Sequence, residues 1–156
     1  MSVWKRFHSH GLPSLVTTNL QHRRPFLSGR QPVEMLLAVI AEVRRETGFR
    51  LLAYVVMPDH MHMVVTLSKE IRLGRVMQLI KGRFSNRYNE SVGSRGRVWQ
   101  ERYHERALRT ERDLFAAIEY VHMNPVEAGL ADDAASYVWS SAGRSELTDL
   151  QIYLSG

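Results

Sequence analysis

Apolar positions along the 156-residue chain follow two different periods. The segment SLVTTNL, residues 14–20, is rich in β-branched residues and closes on the polar, basic turn 21–24, so it predicts a first strand. Between 32 and 47, Met35, Leu36, Val39, Ile40 and Val43 recur at three- and four-residue spacing. Pro32 stands near the start of this run and Gly48 just past its end, the punctuation of a helix. FRLLAYVVM (49–57) and HMHMVVTL (60–67) are apolar runs joined by Pro58 and Asp59, a turn signal, and together they predict a central hairpin. A second helix is expected over 73–88, with Val76, Met77, Ile80 and Phe84 on one side and Lys81, Arg83 and Arg87 near its exposed end. SVGSRGR (91–97) reads as a basic loop. Within 98–108 a fourth strand is expected, although Trp99, Tyr103 and Ala107 do not alternate cleanly. Thr110 and Asp113 resemble a capping box, and Leu114, Phe115, Ile118 and Val121 then form the face of a last helix that runs to Pro125.

The order β-α-β-β-α-β-α predicts an α+β protein. Its first six elements match a ferredoxin-like, RRM-like antiparallel sheet with two helices on one face, and the last helix is additional. The length fits a single domain over 1–156. Hydrophobic residues at 44% and charged residues at 24% fit a folded, water-soluble chain. No cysteine is present, which excludes disulfides, thiolate metal sites and cysteine nucleophiles, so any metal must be held by nitrogen and oxygen. No apolar run matches a signal peptide or a bilayer span, so a cytoplasmic protein without a membrane partner is expected. Lys and Arg total 21 against 16 Asp and Glu, a net charge of +5 that favours an anionic partner such as nucleic acid.

Three features carry chemistry. In a strand, alternate residues point the same way, so His60 and His62 share one face while Met61, Met63, Val65 and Leu67 pack on the helices from the other. The histidine face is then the open side of the sheet. On a wheel of 100° per residue, Tyr120 falls about 160° from the centre of the Leu114, Phe115, Ile118 and Val121 stripe, beside Asp113, Ala116, Ala117 and Asn124. Asn124, four residues on, shares the tyrosine's face if the helix continues past it, whereas Pro125 and Gly129 equally suit a helix that stops there. Each feature also has a plain structural use: solvated polar histidines, a packed surface tyrosine, a terminating asparagine. Taken together, a neutral histidine pair with one amide oxygen would make a partly open site for Mg²⁺ or Mn²⁺, and Tyr120 an oxygen nucleophile toward phosphorus.

MPDHMHMVV resembles the HUH motif of single-strand endonucleases, two histidines around one hydrophobic residue. With VWQERYHERALR, EYVHMNPVEAGL and YVWSSA following in that order, the chain from about 14 to 142 resembles the REP-associated tyrosine transposases. The resemblance implies that His60, His62 and Asn124 hold the metal and that Tyr120 is the nucleophile. It implies cleavage and rejoining of single-stranded DNA beside repetitive extragenic palindromes, through a 5′-phosphotyrosine and a free 3′ hydroxyl, by a monomer, with a dimer that exchanges the tyrosine helix as the alternative. By the same analogy Arg23, Arg24, Lys81, Arg83, Arg87, Arg95, Arg97 and Arg102 are expected to hold the hairpin backbone. Related insertion-sequence transposases carry Gln where Asn124 stands, and WKRFHSHGLPS (4–14) is particular to this chain, a stretch that in some relatives would contact the foot of the hairpin. Two other functions fit the residues: a non-catalytic single-strand binder on a ferredoxin-like sheet, and a metal hydrolase that activates water, with Asp59 or Glu127 as base.

Overall fold

The computed structural model describes residues 11–155, with the side chain of residue 146 left aside, so most of the stretch 4–14 lies outside the described residues. Strands β1 (Ser14–Asn19), β2 (Arg50–Met57), β3 (His60–Thr66) and β4 (His104–Ala107) form one antiparallel sheet in the order β2-β3-β1-β4. Helices α1 (Arg30–Thr47) and α2 (Leu73–Val92) lie between them in sequence, and α3 (Glu111–Glu127) and the short α4 (Leu150–Ser155) follow. This is the expected ferredoxin-like arrangement with an added helix. No helix among the described residues is long and apolar enough to cross a membrane.

Each element has a local cause. Gly48 and Gly93 end α1 and α2 in left-handed conformations, φ 73° and 67°, where a β-carbon would be strained. Helix α2 therefore runs one turn beyond the expected 73–88. At the start of α3, Thr110 Oγ1 accepts the Asp113 N–H at 3.0 Å, as the capping pattern predicts. Strand β4 is shorter than the expected 98–108. Trp99 makes only an isolated bridge to Leu20 and turns its ring into the core against Phe84, which is why alternation fails there.

The sheet is packed on both faces, and here the structure corrects the expected open side. One face carries Val16, Leu51, Tyr54, Val56, Met61, Met63 and Val65 under α1 and α2. The other carries Leu15, Leu52, Ala53, Val55 and Val64 under Leu114, Ala117, Ile118 and Val121 of α3. A register shift between Leu51 and Ala53 turns Leu52 and Ala53 to the α3 side together. Burial of Leu114, Ile118 and Val121 stabilises this contact by roughly 1.5–3 kcal/mol each. Ala117, placed beside Tyr120 by the wheel, is fully buried, whereas Phe115, placed in the stripe, is 43% exposed.

The two edges of the sheet differ. Beside β2, Val56 N–H donates to the Trp139 carbonyl at 2.9 Å and Ser141 N–H to that of Tyr54 at 3.0 Å, so residues 139–141 cover this edge. Ser141 Oγ also accepts the Tyr54 N–H and meets His122 Nε2 at 2.7 Å, tying α3 to the covering segment. The segment YVWSSA thus has a structural use. At the opposite edge all four residues of β4 are exposed, and no described residue pairs with its outer side. Replacing Leu114 with Ala is expected to cost about 2–5 kcal/mol, read from the urea midpoint, because the cavity opens between α3 and the sheet.

Candidate active site

Strand β3 brings His60 and His62 to the face that α3 covers, their ring centroids 4.8 Å apart and nearly perpendicular. The β1–β3 register sets Thr17 opposite His62, and Thr17 Oγ1 lies 2.7 Å from His62 Nδ1. Asp59 Oδ1 takes His60 Nδ1 at 2.6 Å, and Asp59 Oδ2 accepts from Arg23 Nε at 2.9 Å. Arg23 also donates to Asn19 Oδ1 at 3.0 Å. To reach these partners the chain adopts left-handed backbone at two consecutive non-glycine residues, His22 (φ 55°) and Arg23 (φ 53°), a cost that the surrounding contacts must offset. Both Nδ1 atoms are thereby fixed, which leaves Nε2 of each ring for a ligand.

Helix α3 supplies the rest. Its buried stripe is Leu114, Ala117, Ile118, Val121 and Pro125, which moves the centre of the wheel and leaves Tyr120 about 115° from it, at the edge of the stripe. That edge position, in place of the expected 160°, lets the ring reach the sheet while remaining 46% exposed. The Tyr120 and His62 ring centroids are 5.3 Å apart, edge to face. The helix continues through Pro125, whose missing N–H falls in the last turn, to Glu127, and Gly129 follows at φ 76°. Asn124 is therefore helical and on the tyrosine's side, with Nδ2 3.4 Å from His62 Nε2.

Burial pushes the His62 pKa down to about 4, with the nearby His60 and Arg23 charges adding to the effect. Its imidazole is thus neutral, with a lone pair available at physiological pH. Burial pushes the Asp59 carboxyl up, but its hydrogen bonds from His60 and Arg23 outweigh this and hold it below its ordinary value. Among the described residues no three His, Asp or Glu side chains converge on one point, so a cation here would rely on two imidazoles and an amide. Two imidazole nitrogens and an amide oxygen could take a divalent cation with coordination positions left open.

The expected DNA contacts fall into groups. Arg83 pairs with Glu46 at 2.6 Å and Arg87 with Glu42 at 2.7 Å, across α1 and α2 on the face away from the histidines. Carboxylates of α1 thus already engage these two guanidinium groups. Arg23 likewise serves Asp59. Lys81 donates to the Gln100 and Glu101 carbonyls and, with Arg95, Arg97 and Trp99, lines a cavity of about 460 Å³. The side chains of Arg24, Arg95, Arg97 and Arg102 are exposed and make no ion pair or hydrogen bond among the described residues. A second cavity of about 330 Å³ is lined by Tyr120, Leu15, Thr17, His104, Glu105 and Arg106. Thr17 was readable from the strand register once β1 and β3 were paired; His104 and Arg106 lay in a segment with no clean period.

The fold that carries these residues is shared with transposases. Residues 15–124 match the family described as "Transposase IS200 like", and the chain belongs to that family. More narrowly, it is 30% identical over 145 residues to the REP-associated tyrosine transposase of Escherichia coli (strain K12), covering 92% of this chain and 84% of the relative. It is also similar to the solved structure of a REP-associated tyrosine transposase bound to a REP hairpin. That likeness has a TM-score of 0.76 and 28% identity, over 90% of this chain and 82% of the other.

The His62 environment has a consequence for stability. Below pH 6.5 the unfolded chain takes up a proton at this histidine that the folded protein refuses until about pH 4. Stability is therefore full above about 6.5 and falls as pH drops toward 4, by on the order of 3 kcal/mol from this group. Urea melts of the metal-free protein at stepped pH should show that loss, and His62→Gln should flatten the slope across this window.

Proposed function

We propose that this chain is a metal-dependent single-stranded DNA endonuclease and transposase that cleaves and rejoins DNA beside repetitive palindromic hairpins. The observation that carries the reading is the meeting of Tyr120, His62 and Asn124 at one point from elements about sixty residues apart. In this reading Tyr120 Oη attacks the phosphorus of a single-stranded phosphodiester. The Oη–P bond forms as the P–O3′ bond breaks, giving a 5′-phosphotyrosine and a 3′ oxygen that takes up a proton. The phenol proton leaves to solvent by the exposed side of the ring. Rejoining is the reverse attack by a 3′ hydroxyl on the phosphotyrosine. When bound by His60, His62 and Asn124, Mg²⁺ or Mn²⁺ would polarise the phosphate and offset charge on the leaving oxygen.

The residues around the site hold the reacting groups in place. Thr17 and Asp59 fix the two rings, and Arg23 fixes Asp59. One chain contains the tyrosine and both histidines within ring contact, which supports action as a monomer. Arg24, Arg95, Arg97 and Arg102, with Lys81 at the margin of its cavity, hold the hairpin backbone in this reading.

Incubation with Mn²⁺ or Mg²⁺ and a hairpin oligonucleotide carrying a single-stranded flank should give a protein–DNA adduct that survives denaturation. Tyr120→Phe should give none, and His62→Ala or a chelator should reduce it by more than about 100-fold. An adduct formed by Tyr120→Phe would exclude this nucleophile, and chelator-insensitive binding without any adduct would identify a non-catalytic binder instead.

A further inference from the structure

Strand β4 lies in the segment VWQERYHERALR, and its residues His104 and Arg106 have no role in the reading above. Its register with β1 sets Thr17 opposite His104 and Leu15 opposite Arg106. Paired residues in a sheet point to the same face. Leu15 belongs to the core under α3 and Thr17 meets His62, so His104 and Arg106 stand on the face that carries Tyr120. Glu105, between them, takes the Ser14 hydroxyl at 2.9 Å. The cavity of about 330 Å³ that Tyr120 borders has His104 and Arg106 along its other side and lies at the open edge of the sheet.

Charge singles out Arg106 in this cavity. Arg23, beside the histidines, is already engaged by Asp59. The side chains of Arg106 and His104 are exposed and make no ion pair, hydrogen bond or ring contact among the described residues. A guanidinium presents a planar fork that matches two phosphate oxygens, and a neutral imidazole still offers one N–H.

We propose that Arg106 and His104 form a phosphate clamp that seats the backbone of the single strand in the groove beside Tyr120, Arg106 by a bidentate contact and His104 by one hydrogen bond. The role rests on the nuclease reading for its purpose, but the clamp is a binding site and can be measured without cleavage. Because its ligand is backbone, it acts on strands of any sequence, and its place in the groove beside Tyr120 assigns it to the single-stranded flank.

The test compares two labelled DNAs, a hairpin with a single-stranded flank and the same hairpin with none, on Arg106→Gln, Arg106→Lys and His104→Gln proteins whose thermal melts match the unaltered chain. Arg106→Gln should weaken the flanked hairpin by about tenfold and lower the slope of log affinity against log salt by about one, while leaving the blunt hairpin unchanged. Arg106→Lys should restore the salt slope but only part of the affinity, and His104→Gln should show a smaller, flank-dependent loss. Equal loss on both DNAs, or none on either, overturns the clamp. If the unaltered protein forms no tyrosine adduct, the nuclease reading fails, and the flank-dependent difference still decides the clamp on its own.

Discussion

The site depends on apolar packing of α3 against the sheet face that carries the histidines. Strands β2 and β3 are buried along nearly their whole length, and the doubled turn of Leu52 and Ala53 toward α3 makes a broad surface for the helix. Three buried aliphatic residues of α3 contribute several kcal/mol to that contact, whereas a polar tie such as His122 to Ser141 adds about 1 kcal/mol. Hydrophobic burial therefore sets where the helix lies. The polar residues at its edge, Tyr120 and Asn124, are carried into position as a result.

The same covering sets the electrostatics of the histidines. On an open sheet His62 would be solvated; under α3 it is 5% exposed, and its protonated form is disfavoured by burial. Its neighbour His60 sits at the rim, where Asp59 and Arg23 provide a fixed, charged support. One ring is kept neutral by exclusion of water and the other is oriented by a carboxylate, so the two imidazoles are held in different ways. The consecutive left-handed residues His22 and Arg23 indicate that this support is imposed on the backbone and is not a by-product of an easy turn.

Much of this was legible in the chain. Periodicity located α1, the hairpin and α3, and Thr110 with Asp113 marked the start of α3 correctly. The open face was the principal error, and its correction was also in the sequence: LLAYVVM is apolar at every position, which is the pattern of a strand covered on both sides. Placing Phe115 in the stripe followed from size, but Ala117 is the residue that lets α3 approach the sheet closely, and a small side chain gives a weak signal of burial. Pro125 suggested a helix end because proline disfavours helix at the residue before it, a preference that the packing of Pro125 itself overrides. The ion pairs of Arg83 and Arg87 depend on α1 and α2 lying side by side, a contact between residues some forty positions apart that periodicity does not encode.

The distribution of charge follows from the two edges of the sheet. A long flat edge with free backbone groups invites pairing with another chain, and here the β2 edge is closed by residues 139–141. The β4 edge remains open yet is only four residues long, with His104, Glu105 and Arg106 along it, so polar and charged groups discourage another strand. The features that protect the edge from aggregation also make it receptive to a solvated polyanion, which needs cations and donors but no regular ladder. Tyr120 borders that same edge, on the side where water and substrate have access. Closing one edge with residues 139–141 and leaving the other polar thus leaves the covered face approachable from the β4 side, where the cavity beside Tyr120 lies.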